Sequence, residues 1–355
     1  MPTMKDIARV AGVSIATVSL VLNHRDGGRV GPEIVAKVRD AADSLNYKPN
    51  PLARSLRTNR TRILGFISEE IATTPFAGRI ILGAQDAASL LGYVMITVNT
   101  DGISRESQQI EVLQGYGVDG CLYAKMSNRV TAVPEALDCS PLVLVDCSDV
   151  MHRHAGIAPD EFSIGYDATR QLLAAGCRKI AYIGCASPLL AQTRRFEGYR
   201  QALIDAGMHY SPALVANVLN NQEALDQVEA LFESQSPDGF FCFNDARAWY
   251  VYELAARRGM HVGRDISVIG VDNHRVLAET LAPRLTTVEL PHYEMGFWAA
   301  CKLVSLIEDR LVTLEHMGER LAMPLPPVDR TSSDVTIHCR LIEKESVRPA
   351  PSARR

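Results

Sequence analysis

From Arg62 to Leu290, short apolar runs of β type alternate with helical stretches: "RILGFIS", "YVMITVNT", "GCLYAK", "PLVLVD", "KIAYIG", "GFFCFN", "ISVIGVD" and "LTTVEL". Strands this apolar on both faces must be covered on both faces, and helices laid over a parallel sheet do that. An extended stretch near 154–160 leads into a second series that repeats the first in style, so the pattern predicts two similar α/β lobes. Ligands of open parallel sheets sit beyond the carboxyl ends of the strands. That rule singles out Asp146, Asn244, Asp245, Asp272 and Asn273, each placed directly after an apolar run, with Arg195 just before the helix "FEGYRQALIDAG".

The first 48 residues read differently, as three short helices. Thr3 with Asp6 forms a capping box, Ile7, Val10 and Ala11 supply an apolar stripe, and Gly12 ends the first helix. Ser14 caps the second helix, which stops near Asn23. Pro32 opens a third, with Ile34, Val35, Val38, Ala41, Ala42 and Leu45 on its inner side. Two helices joined by a tight glycine turn and followed by a third form a helix-turn-helix pattern. Wound at 100° per residue, the second helix has two apolar faces: Thr17, Val18, Val21 and Leu22 on one, Ile15, Ala16, Ser19 and Leu20 on the other. One face serves the core, and the other is left for a partner.

Charge identifies the kind of partner. Residues 1–62 carry 11 Lys and Arg against 5 Asp and Glu, a net of +6, whereas the remainder has 26 against 36, a net of −10. A basic small unit on an acidic large one is a polyanion-binding head on a body with another task. Between them, "YKPNPLARSLRTNRTR" is a linker whose middle is too short to hold a helix alone. The eight cysteines form no C-x-x-C pair and no Cys/His cluster, and no G-x-G-x-x-G after a strand, Walker loop or H-E-x-x-H is present. A metal site, a cofactor and an enzyme function are therefore not expected. No apolar run approaches a membrane span and no export signal is visible, which points to the cytoplasm. The body alone fits a transport-type ligand-binding protein with no DNA role, but the basic head argues against that alternative.

"MKDIARVAGVSIATVSLVLN", "LNYKPNPLARSLRT", "RRFEGYRQAL", "FNDARA", "VIGVDN" and "LTTVEL", in that order, closely resemble the LacI-type (lac repressor) family of bacterial transcription regulators from about Thr3 to Ile342. The resemblance implies an α/β chain with an all-α helix-turn-helix head and a two-lobed, periplasmic-binding-protein-like body of parallel sheets. The head spans 1–48, a hinge 49–62 and the body 63–342. The first lobe takes about 63–160 and 292–322, the second about 161–291 and 335–342. The Pro/Ser/Arg-rich tail, 343–355, is expected to be disordered. It lacks an apolar heptad for a tetrameric coiled coil, which favours a homodimer on an inverted-repeat double-stranded operator, with repression as the expected outcome.

The resemblance also assigns residues. Ile15 and Ala16 fall where the family reads bases, and Leu20 where many members carry a guanine-reading arginine; here all three offer alkyl groups suited to thymine methyls. Ser14, Thr17, Ser19 and Asn23 are placed to hold phosphates, and Thr3, Tyr47 and Asn50 join the DNA-binding set. The loop "HRDGGR" is two residues longer than usual, with Gly31 in place of a Ser or Thr cap. Ala53 and Leu56 match the hinge helix that pairs in the minor groove, Leu56 being the wedge. Around an effector between the lobes, the resemblance places Asp146, Arg195, Asn244 and Asp272, and Phe76 in "TTPFAG" and Trp249 in "NDARAWYVY" are read beside them as apolar walls. Leu290 stands where many members have a ligand-touching glutamine, and Glu197 replaces a small residue. An arginine fork with carboxylate and amide partners suits a sugar or sugar derivative, or a carboxylated metabolite if Arg195 lacks a counter-charge.

Overall fold

The computed structural model describes residues 2–23, 26–48, 55, 60–74, 77–100, 103–138, 140–219, 221–314, 320–331 and 333–350. They fall into two compact units, 1–61 and 62–355.

The first unit holds α1 (Met4–Ala11), α2 (Ile15–Leu22) and α3 (Pro32–Ser44). The capping box is present: the Thr3 hydroxyl accepts from the Asp6 N–H and the Asp6 carboxylate accepts from the Thr3 N–H at 2.9 Å. Gly12 takes the left-handed conformation, φ 66°, that turns the chain between α1 and α2. Ser14 caps α2 through a bond from the Thr17 N–H, whereas Gly31 gives α3 no side-chain cap. Ile7, Ala8, Val18, Val21, Val38, Ala41 and Ala42 form the core. Two expectations are corrected. Val10 is 54% exposed because the inward arc of α1 runs through Ile7, Ala8 and Ala11, and Ile34, in the first turn of α3, is left 38% exposed.

The second unit is built from two six-stranded sheets. The first contains β1 (Ile63–Glu69), β2 (Val94–Thr100), β3 (Gly120–Thr131), β4 (Leu142–Asp149) and β5 (Ala155–Pro159). Its helices are α4 (Gly78–Leu90) and α5 (Ile103–Gly115). The second contains β6 (Ile180–Cys185), β7 (Val215–Val218), β8 (Gly239–Cys242), β9 (Ser267–Val271) and β10 (Thr286–Glu289). With it come α6 (Glu161–Ala174), α7 (Leu190–Asp205), α8 (Gln222–Gln235), α9 (Asp245–Arg257) and α10 (Arg275–Thr280). The chain then returns to the first sheet through the buried helix α11 (His292–Glu308). β11 (Val335–Ile337) and β12 (Arg340–Ile342) complete the set. The strand orders are β11-β5-β4-β3-β1-β2 and β12-β10-β9-β8-β6-β7, parallel throughout except for the β10–β12 pair.

The run 335–342 is thus not a single strand of the second lobe. Residues 335–337 pair with β5 of the first sheet and 340–342 with β10 of the second, so the chain makes its third crossing at residues 338 and 339. The tail also differs from expectation over 343–350. Ser346 is fully buried, donating to the Val268 carbonyl at 2.6 Å and accepting from the Thr286 N–H at 2.8 Å, while Arg348 pairs with Asp238 at 2.8 Å. Its polar side chains satisfy backbone groups at the ends of β9 and β10, which composition does not reveal. Residues 351–355 lie outside the described set.

Glycines set two helix crossings. A Cβ on Gly83 of α4 would lie 2.0 Å from the Tyr293 carbonyl oxygen, and one on Gly296 of α11 would lie 1.9 Å from that of Ile80. In the second lobe a Cβ on Gly165 of α6 would meet the Arg195 oxygen at 1.9 Å, and one on Gly198 of α7 the Phe162 oxygen at 2.1 Å. Backbone-to-backbone contact between α6 and α7 brings the first residue of α6 to the first turns of α7, where Arg195 sits.

Candidate DNA-reading face and effector site

In the head, α2 divides as its periodicity requires. Val18 and Val21 are buried, while Ser14, Ile15 and Ala16 are exposed, Ile15 to 48%. Leu20 is half-buried yet lies outside the side chains packed on the head's core. The outer face therefore presents alkyl groups that the head itself does not use. Around it, the Ser14 and Thr17 hydroxyls lie 2.9 Å apart, and Ser19 is half-buried. Asn23 donates its amide to the Ser19 carbonyl at 2.6 Å, Thr3 gives its hydroxyl to the capping box, and Tyr47 packs against the core. Those three side chains have structural partners within the head. Asn50, Ala53, Leu56 and Phe76 lie outside the described residues.

In the body, strands and helix starts deliver a charged cluster. Asp146, φ 52°, lies within β4 where its register with β3 shifts, and Asp272, φ 109°, directly follows β9; both take backbone conformations that L-residues seldom adopt, a form of strain that gathers at functional sites. The Asp146 carboxylate is buried and accepts from the Ser127 and Asn128 N–H groups at 2.9 and 3.0 Å. Burial first, and Glu161 second, push its pKa up to about 8 against the pull of those donors and of Arg195. Arg195 is buried, its Nε donating to Glu161 at 2.5 Å and its Nη1 to the Phe243 carbonyl at 2.6 Å, with the guanidinium 4.5 Å from the Phe243 ring centroid. Burial works against this charge, but Glu161 more than restores it. Asp272 is half-buried, and its carboxylate has no hydrogen bond among the described residues. Burial and the neighbouring Asp245 hold it well above the usual carboxylate range, opposed by Arg195.

Asp146, Arg195 and Asp272 thus share one electrostatic neighbourhood. Beside Asp272 a cavity of about 860 Å³ is lined by Arg79, Asn273, Glu289, Leu290 and His292 among others, a size that admits a small metabolite. A second, of about 340 Å³, is lined by Asn128, Cys147, Asp160, Glu161 and Arg194. Asn244 and Trp249 have other surroundings. The Asn244 oxygen is engaged as the α9 cap, accepting from the Arg247 N–H and from Arg247 Nη1, both at 3.1 Å. Trp249 is 42% exposed, stacks edge-on with Tyr250 and lines neither cavity, because five residues of helix rotate it away from the strand end.

Other residues belong to the cluster, and of these the strand-end rule singled out Asp245 alone. Asp245 is fully buried, accepting from the Thr287 hydroxyl at 2.6 Å and the His274 N–H at 2.7 Å, and fits only because β9 has Gly270 beside it. Arg247 spends its charge on the Gly184 and Val218 carbonyls, each at 2.9 Å. His292 is buried and pushed down to about 3 by burial, Arg79 and Arg195, and so is neutral. Glu161 supplies Arg195 with a counter-charge, which removes the condition on which a carboxylated metabolite was expected. Its position two residues after the apolar "AGIAP" was the available signal. Among the described residues no group of three or more His, Cys, Asp or Glu is arranged to hold a metal, and no helix is long and apolar enough to cross a membrane.

Comparison with known proteins gives this arrangement its family. Residues 3–50 match the model of bacterial regulatory proteins of the lacI family, and residues 169–333 match a periplasmic binding protein-like domain. The sucrose operon repressor of Escherichia coli is 30% identical over 321 residues, covering 88% of this chain and 96% of the relative. The chain belongs to the LacI family. The transcriptional repressor PurR of Aliivibrio fischeri is likewise 30% identical over 344 residues, 95% of this chain and 99% of the relative. Among solved structures, the CelR–cellobiose complex matches with a TM-score of 0.65 at 25% identity over 98% of this chain and 100% of that one. The lac repressor dimer on its operator with the anti-inducer ONPF shares the fold, with a TM-score of 0.73 at 21% identity over 98% and 99%. This LacI-family chain is a DNA-binding transcription regulator, and the relatives named here are regulators rather than enzymes.

Proposed function

We propose that the chain is a cytoplasmic homodimeric repressor of an inverted-repeat operator, and that a small polyhydroxylated effector held between the lobes of the body changes its operator affinity. The outer face of α2 carries this reading: Ile15, Ala16 and Leu20 stand clear of the head's core on a basic unit that needs an anionic partner. In the complex they read thymine-rich half-sites by apolar contact, with Ser14, Thr17 and Ser19 on phosphates. In the body, Asp272 offers acceptors and Arg195 donors to vicinal hydroxyls, with Asp146 on the opposite lobe. The names of the sucrose operon repressor and of the cellobiose-bound CelR agree with a sugar or sugar derivative.

Selection of duplexes from a random library by the full chain tests the DNA side. A two-fold symmetric site with A/T-rich half-site positions is the expected product, with affinity falling steeply as salt rises because phosphate binding releases counterions. Enrichment of no symmetric site refutes the reading.

A further inference from the structure

Among the carboxyl groups of the body's cleft, Arg195 already has its counter-charge. Arg195 faces Glu161 at 2.5 Å, and Asp146 and Asp272 lie within its electrostatic reach, with Asp245 beyond. The second buried arginine, Arg247, is turned to two carbonyls and the Asn244 oxygen, and so offers no relief. Arg79 and Arg275 line the larger cavity, but both are exposed, where water screens them. An anionic ligand entering this cluster meets a guanidinium whose charge Glu161 already offsets, with the carboxyl groups of Asp146 and Asp272 beside it. An uncharged ligand rich in hydroxyls meets acceptors on Asp272, whose carboxylate has no donor of its own among the described residues, and the Arg195 Nη2 that the bonds to Glu161 and Phe243 leave over.

Glu161 decides between these outcomes. It is the first residue of α6, buried and held against Arg195 by the Gly165–Gly198 crossing, so its carboxylate cannot swing away to leave the arginine open. A buried arginine without such a partner is a natural receptor for a ligand carboxylate or phosphate. We propose that Glu161 is the specificity-determining residue of the cleft: by closing Arg195 into an ion pair, it makes the site select an uncharged polyhydroxylated ligand and refuse a carboxylated or phosphorylated one. This rests on the cleft being the effector site.

The experiment measures melting of the full chain at constant ionic strength with inorganic phosphate as the probe. Wild type is expected to show no saturable rise. Glu161→Gln, whose amide still accepts from Arg195 while leaving its charge uncompensated, is expected to bind phosphate about tenfold or more tightly than wild type, the weight of one charge-assisted hydrogen bond. Glu161→Gln/Arg195→Gln should lose that gain. A Glu161→Gln response equal to that of wild type overturns the proposal. If Glu161→Gln fails to melt cooperatively, wild type against Arg195→Gln decides: a saturable phosphate response that the arginine substitution removes overturns it, and its absence supports it. Because no DNA is present, this result is separate from whether any effector alters operator binding.

Discussion

Ile15 and Val18 sit three residues apart on α2 but face different partners. Ile15 is 48% exposed and outside the head's core, whereas Val18 is fully buried within it. Ile15→Ala removes three carbons, worth about 0.8 kcal/mol each when buried, or ~2.4 kcal/mol in all. Roughly half of that burial remains to be gained on DNA, so each head should lose about 1.2 kcal/mol of operator binding and a dimer about 2.4 kcal/mol. That corresponds to a loss of affinity between about tenfold and a hundredfold. The head's own stability should change by less than about 0.5 kcal/mol, the usual range for a surface substitution. Val18→Ala should do the reverse in origin: it deletes two buried methyls and leaves a void, costing the head about 2 kcal/mol before any DNA is added. Anisotropy titration on the selected operator, paired with urea unfolding followed by circular dichroism, reads both quantities. If Ile15→Ala lowers the unfolding midpoint as Val18→Ala does, or leaves operator affinity unchanged, the division of α2 into a core face and a reading face is wrong.

Replacing Leu20 by Arg should shift preference toward guanine at one symmetric pair of operator positions by about 1–3 kcal/mol; uniform weakening on all sequences would mean that Leu20 packs rather than reads. Asp146, held near 8 chiefly by burial and then by Glu161, keeps a proton in the folded chain that the unfolded chain releases above about pH 4. Wild-type stability should therefore fall relative to Asp146→Asn as pH rises from about 4 to about 8, by at most about 1.4 kcal/mol per unit, and urea midpoints that run parallel across this window would contradict the assignment. Lys302 is fully buried and donates to the Asp329 and Thr331 carbonyls and the Asp329 carboxylate at 2.6–2.8 Å, so Lys302→Met should cost about 1.5–3 kcal/mol in urea unfolding without altering the head.

What could be read in advance followed from distance along the chain. The two faces of α2, the Thr3–Asp6 box and the strand end at Asp272 depend on residues a few positions apart, and periodicity reports them directly. Glu161 and Arg195 are 34 positions apart. Their pairing depends on two helices touching at Gly165 and Gly198, which no local pattern records. Trp249 lines neither cavity for a related reason. It is near Asn244 along the chain, but on a helix nearness along the sequence does not mean a shared face. The split of 335–342 into two strands and the docking of 343–350 likewise depend on which sheet edges and backbone groups lie open nearby, a property of the assembled lobes.

The central claim is that one protein couples a ligand in the cleft of the body to the head's grip on DNA. Linkage makes that claim quantitative: a ligand that changes operator affinity by some factor must have its own affinity changed by the same factor when operator is bound. The most direct measurement takes the polyol that most raises the melting temperature of the full chain and determines its Kd by calorimetry with and without saturating operator, alongside the operator Kd with and without saturating polyol. The account predicts two equal ratios, both different from one, and both abolished in Arg195→Ala and Asp272→Ala through loss of polyol binding, with operator affinity in the absence of polyol intact. Operator affinity that stays constant at saturating polyol, or undiminished polyol binding in both variants, would contradict it.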